Sequence, residues 1–398
     1  MAAFAAVSRG GLKASLFVLS KSLHVLLVLT ALLLSVLGGC ARIPEKVAPL
    51  EAVSWAALEG WPGSGAEASL GAILESCKAL GRKEPWAAAC LAAREISPGD
   101  EEAVRRFLEE GFIPYRVSRP DGSTTGLITG YYVPDLDGSR QRSDRFSYPV
   151  YGVPDDLLVI DLAMIYPELK GYRLRGRLEG RRVVPYWERS QIDGEQAPVK
   201  GKELFWVEDP VELFFLHIQG SGRVNLEGGD RVMVNYSDQN GHPYRSIGKL
   251  LLDRGEMTRD QMSMQNIMAW TQENPEQVGA LLGENPSYVF FRELPAEFQS
   301  PPGALGVPLT AGRSLAVDPD VIPLGAPVFL DTTWPGSTDP LRRVMVAQDT
   351  GGAIRGAVRA DFFWGLGDEA AFFAGRMKQE GRLWVLLPKA FALRQEGH

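Results

Sequence analysis

Three aspartates among glycines and aromatic residues are the densest group of potentially reactive side chains in the sequence. Asp349, Asp361 and Asp368 lie close together near the C-terminus, and two phenylalanines and a tryptophan directly follow Asp361. Apolar surroundings disfavour an ionised carboxylate and raise its pKa. A carboxylic acid that keeps its proton near neutral pH can donate it to a leaving oxygen. We therefore predict that Asp361 is a general acid.

The neighbours of the other two aspartates indicate local hydrogen-bonding roles. Asp349 lies between an apolar strand and a glycine pair, so its carboxylate can accept nearby backbone N–H groups. Asp368 is predicted to be the N-cap of a helix that begins at residue 369. Aspartate is also common in glycine-rich turns. Spacing alone does not decide between a reactive group and three turn residues.

Other hydrolytic chemistries have little support in the sequence. Ser221 lies in a Gly-Ser-Gly triplet without the spacing of a nucleophile elbow, and no HExxH, CxxC or glycine-rich phosphate loop occurs. We expect neither a metal nor an organic cofactor. The triplet Asp349-Thr350-Gly351 also resembles an aspartic protease motif, which needs two carboxylates sharing a proton. Because the motif occurs once, a symmetric dimer would have to supply the second carboxylate.

Neutral hydrogen-bonding side chains recur along the chain beside apolar segments. Thr129 and Tyr131 lie in a Thr-Gly-Tyr-Tyr motif, Gln219 and Ser221 follow an apolar run, and Tyr236 lies further on. Amide, hydroxyl and phenol groups suit an uncharged polysaccharide, and we predict these five as substrate-binding residues. Each alone is more often a core or turn residue. The net charge of -7 excludes the electrostatic pattern of a nucleic-acid-binding protein.

The N-terminal segment 1–39 has the features of an export signal. Three basic residues precede an apolar run over positions 23–37, which is short for a membrane-spanning helix. The run ends in Leu37-Gly38-Gly39-Cys40. This break resembles a bacterial lipobox, so we predict a signal peptide over 1–39 and acylation of Cys40. The alternative is an uncleaved anchor helix that ends at a cysteine by chance.

Export has two consequences for the rest of the chain. The segment 40–65 is rich in proline, glycine and serine, and we predict a lipid-attached tether. A disulfide persists in an oxidising compartment, and Cys77 and Cys90 are the only remaining pair. Two buried free thiols remain the alternative.

The elements that must position these residues follow from local patterns. With 398 residues, 45% of them apolar, the chain is expected to form about two globular domains. Gly and Pro are frequent, which predicts many turns and short strands. We predict helices over 66–112 and 244–284, with Asp100 as an N-cap, and β-rich structure over 113–240. Strands over 301–348, a helix over 368–378 and a closing strand over 382–387 complete the prediction.

A set of ordered motifs resembles the membrane-bound lytic murein transglycosylase A family. The resemblance extends from about residue 107 to 387 and agrees with the lipobox. The motifs are Thr129-Gly130-Tyr131-Tyr132, Arg189 with Ile192-Asp193-Gly194, Gln219-Gly220-Ser221-Gly222, Asn240-Gly241 with Tyr244, Asn285-Pro286-Ser287 with Val289-Phe290-Phe291, Pro319 with Ile322-Pro323, and the segment 349–369.

The resemblance implies a mainly β fold with peripheral helices. A double-psi β-barrel domain would comprise 66–134 and 293–398, and a second β-rich domain, 135–292, would be inserted into it. The substrate groove would lie between the two domains. The last motif resembles the three-aspartate domain of the family, in which the middle aspartate, here Asp361, is catalytic and Asp349 and Asp368 support it.

The implied activity is that of an exo-acting lytic transglycosylase. Such an enzyme cleaves the β-1,4 bond between N-acetylmuramic acid and N-acetylglucosamine and forms a 1,6-anhydromuramoyl end, with one aspartate as acid and then base. The implied partners are peptidoglycan glycan strands, the outer membrane at its periplasmic face through the N-terminal lipid, and complexes of wall synthesis or division. The alternative is a non-catalytic peptidoglycan-binding lipoprotein, which would not need Asp361 in an aromatic setting.

Overall fold

The computed structural model describes residues 50–169, 171–195 and 197–391, which are mainly β with helices at the periphery. The strands are β1 (Leu50–Ala52), β2 (Phe112–Val117), β3 (Gly126–Val133), β4 (Asp135–Ser139), β5 (Tyr148–Tyr151), β6 (Leu158–Val159), β7 (Arg175–Glu179), β8 (Arg182–Pro185), β9 (Glu203–Val207), β10 (Ser221–Leu226), β11 (Arg231–Gln239), β12 (Val289–Glu293), β13 (Ser314–Val317), β14 (Pro327–Thr333), β15 (Pro340–Asp349), β16 (Arg359–Leu366) and β17 (Lys378–Pro388). The helices are α1 (Ser69–Leu80), α2 (Ala87–Arg94), α3 (Glu101–Gly111), α4 (Arg189–Ile192), α5 (Pro210–Gln219), α6 (Ile247–Asp253), α7 (Met264–Glu273), α8 (Pro275–Gly283) and α9 (Gly367–Ala374).

The largest sheet closes on itself. Its strand order is β1-β2-β17-β14-β15-β13-β16-β3, and β17 also pairs with β3. Six strands, β17, β14, β15, β13, β16 and β3, therefore form a closed ring. The long strand β17 makes the closure possible, because its first residues pair with β3 while later ones pair with β14 and β2. Closure leaves no free edge in the ring.

A second sheet is built only from the middle of the chain. Its order is β12-β11-β10-β4-β9-β5, and β6, β7 and β8 form a separate three-stranded sheet. β3 ends at Val133 in the ring, and β4 starts at Asp135 in the second sheet, so the chain passes from one sheet to the other at Pro134. An apolar cluster holds the two sheets together: Val133, Leu309 and Phe363 pack with Met233 and Leu294.

Helix ends in the structure match several sequence signals. Asp100 is the N-cap of α3 and accepts the N–H of Ala103, a contact worth about 1 kcal/mol in typical helices. α5 starts with Pro210, whose preceding Asp209 accepts two backbone N–H groups. It ends at Gly220, whose φ of 76° is a left-handed conformation that glycine adopts at low cost. The prediction of helices over 244–284 is confirmed by α6, α7 and α8.

The N-terminal helices pack on the ring as part of its core. Buried residues of α1, α2 and α3 belong to the same apolar cluster as the strands of the ring. Cys77 of α1 and Cys90 of α2 form a disulfide. The two helices are therefore fixed to each other by a covalent link as well as by packing.

Two predictions about elements are wrong. The tether predicted over 40–65 does not extend past residue 49, because β1 pairs with β2 and Trp61 packs on Phe329 of the ring. The buried Leu58 and the tryptophans outweigh the proline and glycine of this segment. The helix predicted over 368–378 covers only Gly367–Ala374, since the chain from Lys378 onward joins β17.

The export signal and Cys40 lie outside the described residues. Among the residues that are described, no helix combines the length and apolar character needed to cross a membrane.

Candidate active site

Two of the three predicted aspartates lie in one row across the ring. Asp349 on β15 is in register with Ala316 on β13, Ala316 with Asp361 on β16, and Asp361 with Thr129 on β3. Side chains in register point to the same face of a sheet. Two strand spacings of about 4.8 Å place the Cα atoms of Asp349 and Asp361 roughly 10 Å apart.

A bulge in β15 creates this row. Leu315 pairs with Ala347, but the next residue, Ala316, pairs with Asp349, so Gln348 is the extra residue. The Gln348 amide is fully buried and accepts a hydrogen bond from Ser314 while donating to the Ala72 carbonyl and the Ser76 hydroxyl of α1. Because of the bulge, the Gln348 side chain contacts α1, and Asp349 takes the position in register with Ala316.

Asp361 is half-buried and holds one strong hydrogen bond. The Thr129 hydroxyl donates to its Oδ1 at 2.6 Å. Burial raises the pKa of Asp361 above the usual aspartate value; the Thr129 hydrogen bond and the Arg359 charge lower this pKa, and Asp349 raises it further. The net direction is upward, as the aromatic setting predicts. Phe363 lies two residues after Asp361 on the same face of β16 and is buried. The centroid of its ring is 5.1 Å from that of the Tyr131 ring.

Asp349 is held by donors from three directions. Its Oδ1 accepts the N–H groups of Ala304 and Thr350, both at 2.9 Å, and its Oδ2 accepts the Tyr131 hydroxyl at 3.0 Å. The acceptance of backbone N–H groups confirms the prediction made for this carboxylate. Burial raises the pKa of Asp349, although all three hydrogen bonds act to lower it. Within the described residues, none of its hydrogen bonds comes from another carboxyl group, unlike the shared proton of an aspartic protease.

Arg359 is a member of the site that sequence reasoning missed. It lies two residues before Asp361 on β16, and its guanidinium donates to the Thr129 Oγ1 at 2.8 Å. The alternation of a strand puts Arg359 on the same face as Asp361, but only the register of β16 with β3 brings it to Thr129. Tyr131 completes the group, since burial and the nearby Asp349 raise its pKa well above the usual value and keep it a donor.

Asp368 is not part of this row. The prediction that it caps a helix starting at residue 369 is wrong, because α9 starts at Gly367 and the N-cap position belongs to Leu366. Asp368 is exposed in the first turn of α9 and lines a cavity of about 340 Å³ together with Tyr132 and Glu212. Adjacent strand residues point to opposite faces. Tyr132 thus faces away from Tyr131, and Asp368 lies on the side of β3 opposite to Asp361.

Gln219 reaches the ring from the second sheet. It is the last residue of α5, and its Oε1 accepts the backbone N–H of Tyr132 at 3.1 Å. Ser221, at the start of β10, accepts a hydrogen bond from Asn235, which also donates weakly to Pro302 near the Ala304 that binds Asp349. Both residues are therefore at the junction of the two sheets.

Tyr236 on β11 lies beside the turn of Gln219 and Ser221, because its backbone N–H donates to the Gly220 carbonyl at 2.6 Å, but its side chain contacts Arg173. Its hydroxyl accepts a long hydrogen bond of 3.4 Å from Arg173, and the guanidinium of Arg173 lies over its ring. None of its described hydrogen bonds joins it to the aspartates. A larger cavity of about 1050 Å³ lies between α4, β9 and α8 and includes none of the predicted site residues.

Comparisons with known proteins identify related sequences and structures. Residues 127–292 match the family model of the MltA specific insert domain, and residues 313–387 match that of the 3D domain. The chain is 33% identical over 295 residues to the membrane-bound lytic murein transglycosylase A of Escherichia coli K12, which covers 72% of each protein.

Solved structures of such proteins share the fold. The crystal structure of MltA from Neisseria gonorrhoeae is 39% identical, with a TM-score of 0.74 over 87% of this chain and 95% of that one. The structure of E. coli MltA with bound chitohexaose is 28% identical, with a TM-score of 0.66 over 88% of this chain and 98% of that one.

Proposed function

The chain belongs to the membrane-bound lytic murein transglycosylase A family, and from this premise we propose that it cleaves the glycan strands of peptidoglycan. The observation that carries the proposal is Asp361, a carboxyl group with a raised pKa that lies half-buried in a row with Asp349 and Thr129. A relative has been crystallised with chitohexaose, an oligosaccharide, which supports a glycan as the substrate class.

The proposed mechanism uses Asp361 first as an acid. Its proton passes to the oxygen of the β-1,4 bond while the bond from C1 of N-acetylmuramic acid to that oxygen breaks. The electron pair of the bond stays with the leaving N-acetylglucosamine. A raised pKa favours this step because the carboxyl group keeps its proton until substrate is bound.

Asp361 then acts as a base. Its carboxylate takes the proton of the muramoyl C6 hydroxyl, and the C6 oxygen forms a new bond to C1. The product ends in a 1,6-anhydro ring, and Asp361 is again protonated. Because the attacking hydroxyl belongs to the substrate, no second carboxylate is needed to activate water, in contrast to ordinary glycosidases.

In this proposal, Asp349 supports the site without exchanging a proton. Its position two strands from Asp361 and its three donors suit a fixed anchor for the loop around Ala304. Thr129 and Tyr131, predicted as substrate-binding residues, direct their hydroxyls at the two carboxylates. We assign them the task of orienting Asp361 and Asp349. Asp368, on the other side of β3, has at most an indirect role.

We also propose the domain organisation implied by the family. The closed ring of six strands supports a double-psi barrel formed from the two ends of the chain. The second sheet, built between Asp135 and Glu293, supports an inserted domain, with the glycan bound where the two meet. The barrel part then starts near residue 50 rather than residue 66.

Mass analysis of the products from purified murein tests the proposed function. Each cut should give a 1,6-anhydromuramoyl end, one water lighter than the corresponding lysozyme product. Reducing-end muramic acid would identify a hydrolase instead. Binding to murein without any soluble product would identify a non-catalytic wall-binding protein.

Replacing Gln219 by Ala is expected to weaken binding to sacculi by about 1–3 kcal/mol, the usual cost of leaving a buried polar partner unpaired. The motivation is its place at the sheet junction, where its Oε1 accepts the Tyr132 N–H and no hydrogen bond among the described residues uses its amide N–H groups. Affinity for sacculi and melting temperature should be measured on the same sample.

The two measurements separate binding from support of the turn. If Gln219 only stabilises β3, the variant should have a lower melting temperature, while the affinity of the folded protein for sacculi stays constant. That result would contradict a substrate-binding role. Exposed Gln141, replaced by Ala, serves as the matched control and should change neither value.

Attachment to the outer membrane through acylated Cys40 is a further part of the proposal. Cys40→Ser should move the protein from the membrane fraction to the soluble fraction, because stable attachment requires the acyl chains. Cleavage of murein by the released protein should be unchanged. If the variant stays in the membrane fraction and keeps the segment 1–39, the apolar run is an anchor helix.

A further inference from the structure

Three side chains form a directed chain of hydrogen bonds that ends at Asp361. Arg359 donates from its guanidinium to Thr129 Oγ1 at 2.8 Å, and Thr129 Oγ1 donates to Asp361 Oδ1 at 2.6 Å. Arg359 is itself held by the carbonyls of Ala360 and Leu127. Its side chain is half-buried, and no carboxylate in the described part of the chain lies within ion-pair distance of it.

The direction of these bonds follows from the donor inventory. A guanidinium has only donors, so Thr129 must accept from Arg359. The Thr129 hydroxyl has one hydrogen, and Asp361 Oδ1 is the acceptor recorded for it among the described residues, so this hydrogen points to Oδ1. In neutral Asp361, the oxygen that accepts this hydrogen bond acts as the carbonyl oxygen, which favours the acidic proton on Oδ2.

We infer that Arg359 is a positioning residue that, through Thr129, keeps the acidic proton of Asp361 on Oδ2 and so available to the glycosidic oxygen. This inference rests on the proposed function, and it adds a residue that the three-aspartate pattern does not include. Without Arg359, Thr129 can rotate and accept a hydrogen bond from a protonated Oδ1. The proton would then be directed at Thr129 instead of the substrate.

Arg359 also affects the charge balance at Asp361. The charged and titratable groups that face Asp361 are Arg359 on its own strand, Tyr131 on β3 and Asp349 on β15. Of these, Arg359 lowers the pKa of Asp361, and Asp349 raises it. Loss of the guanidinium should raise this pKa further. Since the acid must be protonated at the start of the reaction, the alkaline limit of activity should move to higher pH.

Arg359→Met should therefore lower turnover and raise the pH of the alkaline limb. Turnover at the pH optimum should fall about three- to tenfold, the size of population shift that one hydrogen bond supplies, with KM little changed. The alkaline limb of the rate profile should move upward in pH. A residue that only stabilised the fold would lower activity at every pH, and the pH of the alkaline limb would not change.

Companion variants separate charge from hydrogen bonding. Arg359→Lys keeps the charge and should hold the alkaline limb near its original pH. Thr129→Val removes the two hydrogen bonds that join Arg359 to Asp361 through Thr129, here called the relay, and should reproduce both changes of Arg359→Met. Thr129→Ser keeps the hydroxyl and should restore the activity that Thr129→Val loses. Arg355→Met is the matched control, because Arg355 is exposed four residues upstream and pairs only loosely with Asp318.

A direct readout avoids dependence on cleavage. Carbon-13 NMR of labelled aspartates in the full chain, with Asp361 assigned by its loss in Asp361→Asn, gives the midpoint of its titration. The midpoint should rise in Arg359→Met and Thr129→Val, and stay near its original value in Arg355→Met. An unchanged midpoint in both relay variants would overturn the inference. If the midpoint moves but no anhydro product forms even in the unaltered protein, the relay stands and the proposed function is wrong.

Discussion

Replacing Asp361 by Asn is expected to lower the rate of murein cleavage by roughly 10²–10⁴-fold or more, the range for loss of one general acid. The loss should be near the upper end, because the same group serves as acid and then as base. An asparagine fits the site with little change in volume. Its carbonyl oxygen can take the Oδ1 position and accept the Thr129 hydroxyl as the aspartate does.

Folding and binding should be kept in this variant. Melting temperature and retention on sacculi are measured beside the release of soluble muropeptides. Asp320→Asn, an exposed aspartate in the loop after β13, is the matched control and should keep full activity. Near-normal turnover in Asp361→Asn would refute the assignment of Asp361 as the acid.

Removing the disulfide should have the largest effect on stability. Cys77 and Cys90 are 13 residues apart in sequence and link α1 to α2. A cross-link over a loop of this size stabilises a fold by about 3 kcal/mol, mainly by restricting the unfolded chain. The double variant Cys77→Ser, Cys90→Ser is expected to lose about that amount in denaturant unfolding.

The unaltered protein with its disulfide reduced is the matched control for this measurement. Reduction should give the same loss as the double variant, since both leave the same unfolded chain without a link. Equal stability of the oxidised, reduced and double-variant proteins would show that packing alone holds the helix pair.

Much of the fold follows from patterns that span only a few residues. Asp100 precedes an amphipathic segment and caps α3, and Pro275 and Gly283 mark the two ends of α8. Signals of this kind need no knowledge of the rest of the chain. The tether prediction was wrong because composition was weighed above Trp61, whose partner Phe329 lies far along the sequence.

The candidate site was predictable only in part for the same reason. Asp361 was recognisable from its aromatic neighbours in sequence, because apolar surroundings raise the pKa of a carboxyl group. Its partner Thr129 is 232 residues away and reaches it only because β3 and β16 pair in one register. Arg359 was missed because the group that gives it a role is on another strand.

The contact between Gln348 and α1 sets a limit on how the protein can be shortened. The regions matched by the two family models begin at residues 127 and 313, so a fragment chosen from them would omit α1. Gln348 would then lose both acceptors of its amide, the Ala72 carbonyl and the Ser76 hydroxyl, beside Asp349. A buried amide without acceptors costs free energy of folding, so the fragment would favour a different backbone conformation at the bulge. For protein engineering, the smallest transferable unit with an intact row therefore includes α1 (Ser69–Leu80), which lies before both family boundaries.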